Sequence, residues 1–143
     1  MHLMRALFGL LGGLGLTGSD PTLGRRGEEI AYWHLRRLGF TMVARNYRHA
    51  GVGGEVDLIG WDGGTLVFVE VKSRHSDEVR RAEDAVDAEK RRRLVTAAAD
   101  YRRRSHLAAP HRYDVVSVYC AAGREPLVEH FRDAFQEADV AWD

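Results

Sequence analysis

The sequence has only one cysteine, Cys120, among its 143 residues. A single thiol cannot form an intrachain disulfide or a thiolate cluster, so we interpret Cys120 as a small apolar residue of a strand. The seven histidines are scattered, and no pair has the His-x-x-x-His spacing with an accompanying Glu that is typical of helical zinc sites. The composition therefore argues against a disulfide scaffold and against a zinc centre.

The chain also lacks net charge, with 21 Lys and Arg against 21 Asp and Glu. A neutral molecule has no long-range attraction for phosphate, so a nucleic-acid partner would have to be held by a local patch. The charges are unevenly distributed: residues 74–112 carry eleven Lys and Arg against seven acids, whereas residues 113–143 carry two against seven. The middle of the chain is the basic part.

Long hydrophobic runs are missing as well. The most apolar stretch, Ala6 to Leu16, is too short to span a bilayer, and no Ala-x-Ala-like cleavage site follows it. We therefore predict that residues 1–22 form a flexible, apolar and Gly-rich extension without a transmembrane helix; a weak membrane or partner contact is the alternative. A composition of 45% hydrophobic and 29% charged residues predicts one soluble domain, over residues 23–132, followed by an acidic tail over 133–143.

The periodicity of the chain predicts a mixed α/β sheet of about five strands, in the order α-β-β-β-α-β-β, with a helix on each face. The first helix runs from about Leu23 and is ended by Gly39. Its buried stripe is predicted to contain Leu23, Gly27, Ile30, Ala31, His34, Leu35 and Leu38. The other predicted elements are strands at 41–46, 55–60, 65–72, 113–119 and 127–131 and a second helix at about 85–104. We interpret Asp114, near the start of the fourth strand, as a structural cap.

Strands 55–60 and 65–72 are predicted to form a hairpin that sets Asp57, Glu70 and Lys72 on one face. Side chains alternate along a strand, and both possible turns preserve this parity. A Gly63-Gly64 loop places Asp57 directly opposite Glu70, at about 5 Å between Cβ atoms, whereas an Asp62-Gly63 loop places them diagonally, at about 7 to 8 Å. Either spacing lets two carboxylates bind one cation.

These acids have a simpler interpretation as solvated surface residues paired with Lys72. The second strand is apolar on both faces, however, which is typical of a sheet covered on both sides, so the acids would be partly buried. Buried charges are seldom kept without a partner or a metal. Carboxylate ligands without sulfur or imidazole indicate Mg²⁺ or Mn²⁺, and the constellation suits a metal-dependent phosphodiesterase.

Several further residues on the helices and loops have both a structural and a functional interpretation. Glu28 borders the buried stripe of the first helix, where its ordinary role is to stabilise the helix dipole. Lys90 falls on the apolar stripe of the second helix, from which it either extends to water or reaches a substrate phosphate. Arg45 and Arg48 are candidates for contact with a phosphate backbone or are solvated loop charges, and Arg74 and Arg91 complete the nucleic-acid-binding candidates.

Four segments together resemble the YraN-type family of small bacterial endonuclease-like proteins: Gly24-x-x-Gly27-Glu28, residues 54–59, residues 69–74 and the helix that bears Lys90. The resemblance covers residues 24 to 119. That family is similar to the restriction-endonuclease-like superfamily, which is defined by a Pro-Asp and then an Asp/Glu-x-Lys signature and includes archaeal Holliday-junction resolvases. Val56 occupies the proline position, a departure that affects the approach to Asp57 rather than the ligand itself.

The resemblance implies a nuclease-like domain in which Glu28 joins Asp57 and Glu70 as a metal ligand, with the Val71 carbonyl as a further one. Lys72 would orient or help to deprotonate the attacking water. We therefore expect a cytoplasmic, Mg²⁺-dependent endonuclease that acts on DNA rather than RNA, including branched or structured DNA. A homodimer is left open, since a symmetric junction presents two equivalent strands. The alternative is a non-catalytic module that keeps the fold and binds nucleic acid or protein.

Overall fold

The computed structural model describes residues 21–75, 88–140 and 142. Residues 1–20 of the predicted N-terminal extension and the first residues predicted for the second helix, including Val86, lie outside the described residues. Pro21 and Thr22, which were also assigned to the extension, instead begin the first helix. Within the described part, no helix is long and apolar enough to cross a membrane. The elements are α1 (Pro21–Arg37), β1 (Thr41–Tyr47), β2 (Val56–Asp62), β3 (Thr65–His75), α2 (Ala88–Ser105), β4 (His111–Cys120), β5 (Leu127–Phe135) and a short 3-10 helix (Glu137–Asp139).

The five strands form one mixed sheet in the order β1-β2-β3-β4-β5. Neighbouring strands are antiparallel except for β3 and β4, which are parallel. A parallel pair needs a crossover connection, and the connection from β3 to β4 contains α2. The predicted α/β class and element order are confirmed.

The hairpin between β2 and β3 closes through Gly63 and Gly64, because Asp62 pairs with Thr65. Gly63 has a φ of 57°, a conformation that favours glycine in two-residue hairpin loops. The ladder continues to the pair Leu58 and Val69, and the next position along it sets Asp57 opposite Glu70. Of the two registers that the sequence allowed, the structure has the direct one.

Each face of the sheet packs against one helix. On the first face, α1 residues such as Ala31 and Leu35 pack on Val67 and Val69 of β3. On the second face, α2 residues such as Leu94 and Ala98 belong to a second cluster that also contains β-strand side chains. The strand residues of this second cluster include Ile59, Leu66, Phe68, Tyr113 and Phe135. Because β3 is covered on both faces, polar side chains at its end are partly withdrawn from water.

Leu38 was predicted on the buried stripe of the first helix, and this prediction is wrong: its side chain is 55% exposed. The helix ends at Arg37, and Gly39 turns the chain with a φ of 99°. The N–H of Phe40 then donates to the Leu35 carbonyl at 3.1 Å, as in a Schellman cap. Phe40 is buried in the core instead, since the turn directs the chain back toward the sheet.

The prediction that Asp114 caps the fourth strand is also wrong, because β4 begins earlier, at His111, and Asp114 is fully buried within it. Its carboxylate accepts hydrogen bonds from Arg112 Nε at 2.9 Å and from the Asp133 N–H at 2.9 Å, and it contacts His130 Nε2 at 2.7 Å. These partners lower the pKa of Asp114, although burial opposes the shift. Asp114 therefore joins β4 to β5 rather than ending a strand.

The last strand extends further than the sequence predicted, to Phe135 rather than Phe131. Phe135 stacks on Tyr113 at 5.1 Å between ring centroids, and Val140 packs in the same cluster. Glu137 accepts hydrogen bonds from Tyr113 and contacts His111. Residues of the segment that was predicted as an acidic tail thus contribute to the core.

Candidate metal centre

Three carboxylates from two distant parts of the chain meet at the start of β2. Glu28 of α1, Glu55 and Asp57 each offer one oxygen atom, and these oxygens lie within 4.8 Å of one another. Oxygen ligands lie about 2.0 to 2.6 Å from Mg²⁺ or Ca²⁺, so two ligands of one ion are separated by at most about 5 Å. The group therefore has the dimensions of a cation site.

A close contact between α1 and β3 brings Glu28 to this place. A Cβ atom on Gly27 would lie 1.7 Å from the Ser73 Oγ atom and 2.9 Å from its Cβ atom, so only glycine allows the observed separation. Glu28 follows Gly27 directly and receives a hydrogen bond from the Asn46 side chain at the end of β1. The position of Glu28 thus depends on helix packing as well as on helix periodicity.

Two of these acids, Glu55 and Asp57, line a cavity of about 150 Å³ between the hairpin and α2, together with Glu70. Asp57 and Glu55 lie on one side, and Glu70 lies across the hairpin from Asp57. Lys90 and Arg93 of α2 supply the cationic part of the lining. The cavity therefore presents carboxylates to a cation and positive charges to an anion within a few ångströms.

Burial and neighbouring negative charges make it unfavourable to ionise the carboxyl groups of Asp57, Glu70 and Glu28. Burial, together with the neighbouring charges of Glu70, Glu28 and Glu55, raises the pKa of Asp57 to about 8, although its Oδ2 atom accepts a hydrogen bond from the Val71 N–H at 2.8 Å. Burial likewise raises the pKa of Glu70, against the opposing charges of Lys90 and Lys72. Burial is also the main cause of the raised pKa of Glu28. A positive charge at this place would stabilise all of these ionised carboxylates.

The donor set matches a hard divalent cation. All the candidate ligands are carboxylate oxygens, and neither a cysteine nor a histidine belongs to the group. Such ligands suit Mg²⁺ and Mn²⁺ better than zinc or copper. The charges of Glu70, Glu28 and Glu55 all oppose ionisation of Asp57, and a bound cation would offset them.

The sequence profile of the Uncharacterised protein family UPF0102 matches residues 27–118, which is more than half of the chain. The chain belongs to the UPF0102 family. A UPF0102 protein of Solibacter usitatus is 52% identical over 113 residues, covering 78% of this chain and 84% of that protein. One of Anaeromyxobacter dehalogenans is 44% identical over 128 residues, covering 88% and 93%. This is the YraN-type family that the sequence motifs resemble, and all the acids of the cluster lie in the matched region.

Lys72 and Val71, both predicted from the sequence, lie beside the acids of this UPF0102 chain. Lys72 is buried, at 4% exposure, and its charge lowers the pKa of Glu70. Val71 contributes its N–H to Asp57, whereas the ligand role of its carbonyl stays a prediction. The three-carboxylate group contains Glu28 and Asp57 of the predicted ligands, and Glu70 lies in the same cavity.

The predicted nucleic-acid-binding residues are spread more widely than the acids. Lys90 is exposed and lines the cavity, which is compatible with both interpretations of its place on the apolar stripe. Arg48 forms an ion pair with Glu55 at 3.1 Å. Arg91 lies over the ring of Phe135 at 5.0 Å. Arg45 contacts Glu29 and Tyr32 beside α1. Arg74 is half-buried on β3 and lies next to Tyr119 of β4.

Sequence reasoning missed Glu55 and Arg93 as members of this site. A signal existed for each of them. Glu55 precedes Asp57 by two residues and therefore shares its face of the strand. Arg93 follows Lys90 by three residues and therefore shares its side of the helix. The proximity of Arg93 to Glu70 depends on how α2 packs against the hairpin, which periodicity does not specify.

Proposed function

We propose that this UPF0102 protein is a Mg²⁺-dependent endonuclease that hydrolyses phosphodiester bonds of DNA, including branched or structured DNA. The observation that carries the proposal is the single cavity in which Asp57 and Glu70 face Lys90 and Arg93. Carboxylates alone suit many cation sites, and basic residues alone suit many anion sites. Their combination around a small cavity suits a phosphate diester bound together with a metal ion.

In this proposal Asp57, Glu55 and Glu28 hold the cation, and Glu70 completes the acidic side of the cavity. A bound Mg²⁺ would supply Lewis acidity toward the phosphoryl oxygens and a lower pKa for an attacking water. The Val71 N–H fixes one oxygen of Asp57, so that the other is left for the cation. The chain thereby sets the direction of the ligands before substrate binds.

Lys72 is proposed to act on the reacting water and phosphate. Its ammonium group is buried and interacts with Glu70, so it is held near the acids rather than extending into solvent. From there it can donate a hydrogen bond to the water and stabilise negative charge that develops on the phosphoryl oxygens. No histidine base is required for this chemistry.

Lys90 and Arg93 are proposed to bind the DNA backbone on the α2 side. A lysine offers a compact charge, whereas an arginine can bind a phosphate through two parallel hydrogen bonds. Because the molecule has no net charge, this local pair has to provide much of the attraction. The protein is expected to act in the cytoplasm, and cleavage at two symmetric positions of a junction would require two copies.

The test is a cleavage assay with linear duplex, single-stranded, flap and four-way-junction DNA, in Mg²⁺, Mn²⁺ or EDTA. Cleavage of at least one substrate is expected with Mg²⁺ or Mn²⁺ and none with EDTA. Asp57→Ala and Glu70→Ala proteins, purified in the same way, control for a contaminating nuclease. Cleavage that survives either change would overturn the assignment. A protein that binds DNA without cleaving it, and whose affinity for DNA is unchanged by Asp57→Asn, would also overturn it, because this is the behaviour of a non-catalytic module.

Arg93→Ala is expected to weaken DNA binding and to reduce the slope of log affinity against log salt by about one unit, the change expected from loss of one phosphate contact. Arg91→Ala removes the same charge from the opposite side of the same helical turn, from a side chain that lies over Phe135, so its salt slope should change less. Fluorescence anisotropy at several salt concentrations measures both slopes. If Arg91→Ala reduced the salt slope more than Arg93→Ala, the result would favour Arg91, the residue predicted from the sequence, over Arg93 as the phosphate contact.

A further inference from the structure

A second surface of aromatic and cationic side chains lies on α1 and β1, outside the cavity. We call it the aromatic surface and define it by Tyr32, Trp33, Arg36 and Arg45. Trp33 is 45% exposed, and its ring contacts Tyr32 edge to face at 5.3 Å. Arg45 lies over the Tyr32 ring at 3.5 Å, and Arg36 lies over the Trp33 ring at 5.2 Å.

Local interactions hold the aromatic surface in place. The Trp33 Nε1 atom donates to Glu29 at 2.8 Å, one helical turn away, and Arg45 Nη1 donates to the other oxygen of the same carboxylate at 2.8 Å. Glu29 therefore orients the indole and the guanidinium together, and its own charge is neutralised by Arg45. The surface is ordered before any ligand arrives, and its remaining charge is positive because Arg36 is exposed beside the ring.

The aromatic surface is linked to the metal centre through β1. Glu28 precedes Trp33 by five residues in α1, which is about 7.5 Å along the helix axis and about 140° around it, so the two side chains leave the helix on different sides and Arg45 contacts the Trp33 side through Glu29. Arg45 is followed in β1 by Asn46, whose side chain hydrogen-bonds Glu28, and the charge of Arg45 lowers the pKa of Glu28. A chain of nucleotides whose phosphate lies at the acids would therefore reach Trp33 by way of Arg45 and the edge of β1 rather than directly along α1.

An exposed apolar residue on a helix often has no role, and a protein partner could also use one. Here the ring is accompanied by the exposed guanidinium group of Arg36, which matches a phosphate backbone better than a neutral apolar partner. Tryptophan faces stack on nucleobases regardless of their identity, and nearby arginines add cation–π and phosphate contacts. Bases of a duplex are already stacked on one another, so a ring of this kind selects unpaired ones.

We propose that the aromatic surface binds unpaired nucleotides that flank the phosphate at the metal centre, with one base stacked on Trp33. The proposal rests on the proposed function for its place beside the reaction, and it specifies the substrate as a nucleic acid with a single-stranded segment. Arg36 binds the backbone next to that base. Arg45 holds Tyr32 and Glu29 so that the indole stays in position.

The experiment measures binding of a single-stranded 12-mer DNA, the same sequence as RNA, and a blunt duplex, all by fluorescence anisotropy in EDTA so that cleavage plays no part. Trp33→Ala is expected to weaken binding of a single strand about 5- to 150-fold, the range found for loss of one base-stacking aromatic, and to change duplex binding less than about twofold. Trp33→Phe keeps a ring and should restore most of the affinity. Trp142→Ala removes another exposed tryptophan and should have no effect.

The outcomes separate this inference from the proposed nuclease activity. Unchanged single-strand affinity in Trp33→Ala would overturn the inference even if the wild type cleaves DNA, and so would an equal loss for duplex and single strand. A selective loss that Trp33→Phe reverses supports the inference even if no cleavage is found. If Trp33→Ala loses more affinity for the DNA 12-mer than for the RNA 12-mer, the aromatic surface is assigned to DNA; the opposite order assigns it to RNA. Circular dichroism of each variant establishes that it is folded.

Discussion

Asp57→Asn is expected to stabilise the metal-free protein at pH 8 while removing both Mg²⁺-dependent cleavage and stabilisation by Mg²⁺. The pKa of Asp57 is raised in the folded state, to about 8, so ionising this carboxyl opposes folding. The destabilisation is absent below the unfolded pKa, grows as the pH rises, and is complete above the folded pKa. Since each unit of pKa shift corresponds to about 1.4 kcal/mol, a gain of at least about 1 kcal/mol is expected.

The wild-type protein should therefore lose stability between about pH 4 and pH 8 in EDTA, and Mg²⁺ should reverse that loss by binding the ionised acids. Urea denaturation at pH 5 and pH 8, with and without Mg²⁺, measures both effects. Cleavage by Asp57→Asn should fall by more than about 10²-fold, the loss typical of removing one electrostatic stabiliser.

The control for Asp57→Asn is Asp139→Asn, which makes the same chemical change at an exposed residue of the 3-10 helix. It should leave the response to Mg²⁺ and the pH dependence unchanged. A metal-free Asp57→Asn protein that is less stable than the wild type at pH 8 would contradict the electrostatic account of the cavity. Retained stabilisation by Mg²⁺ would instead show that the cation binds elsewhere.

Gly27→Ala is expected to destabilise the protein by about 1 to 3 kcal/mol, the usual cost of overpacking a well-packed contact. The new methyl group would lie 1.7 Å from the Ser73 Oγ atom, so α1 has to move away from β3 or Ser73 has to shift. Movement of α1 also displaces Glu28, the next residue, from Asp57. We therefore expect a lower affinity for Mg²⁺ as well as a lower midpoint of urea unfolding.

Gly24→Ala provides a matched control in the same helix, because a Cβ atom at Gly24 would meet nothing within 4 Å. Alanine is the better helix former by about 0.5 to 1 kcal/mol, so this variant should be as stable as the wild type or more stable. Ser73→Gly combined with Gly27→Ala removes the atoms that clash and should recover part of the loss. If Gly27→Ala proved as stable as Gly24→Ala, the close contact would not position Glu28.

Several features of the fold followed from local patterns because they depend on a few neighbouring residues. The Asp-Gly-Gly sequence between two β-branched runs was enough to predict the hairpin and the common face of Asp57 and Glu70. Gly39 was enough to predict the end of α1. The register of the hairpin was not determined in advance, because two turns of the same length class fit the sequence, and hydrogen bonding between the strands selects one of them.

The wrong predictions concern residues whose partners are far away in sequence. Asp114 was interpreted as a cap because its buried partners, His130 and the Asp133 N–H, come from the next strand. For Lys90 the sequence left two interpretations open, extension to water or contact with a substrate phosphate, and its exposure at the start of α2 is compatible with both. Periodicity gives the side of a helix, whereas burial depends on what the rest of the fold places beside it.

The sequence by itself determined the α/β class, the hairpin and the pairing of two carboxylates with a lysine, since strand parity and turn chemistry act over a few residues. The tertiary structure alone decided that Glu55 joins Glu28 and Asp57 and that Arg93 lines the same cavity as Glu70. These distances arise where α1 approaches Ser73 and where α2 packs on the hairpin. Such contacts depend on the shapes of surfaces that meet only after the whole sheet has formed.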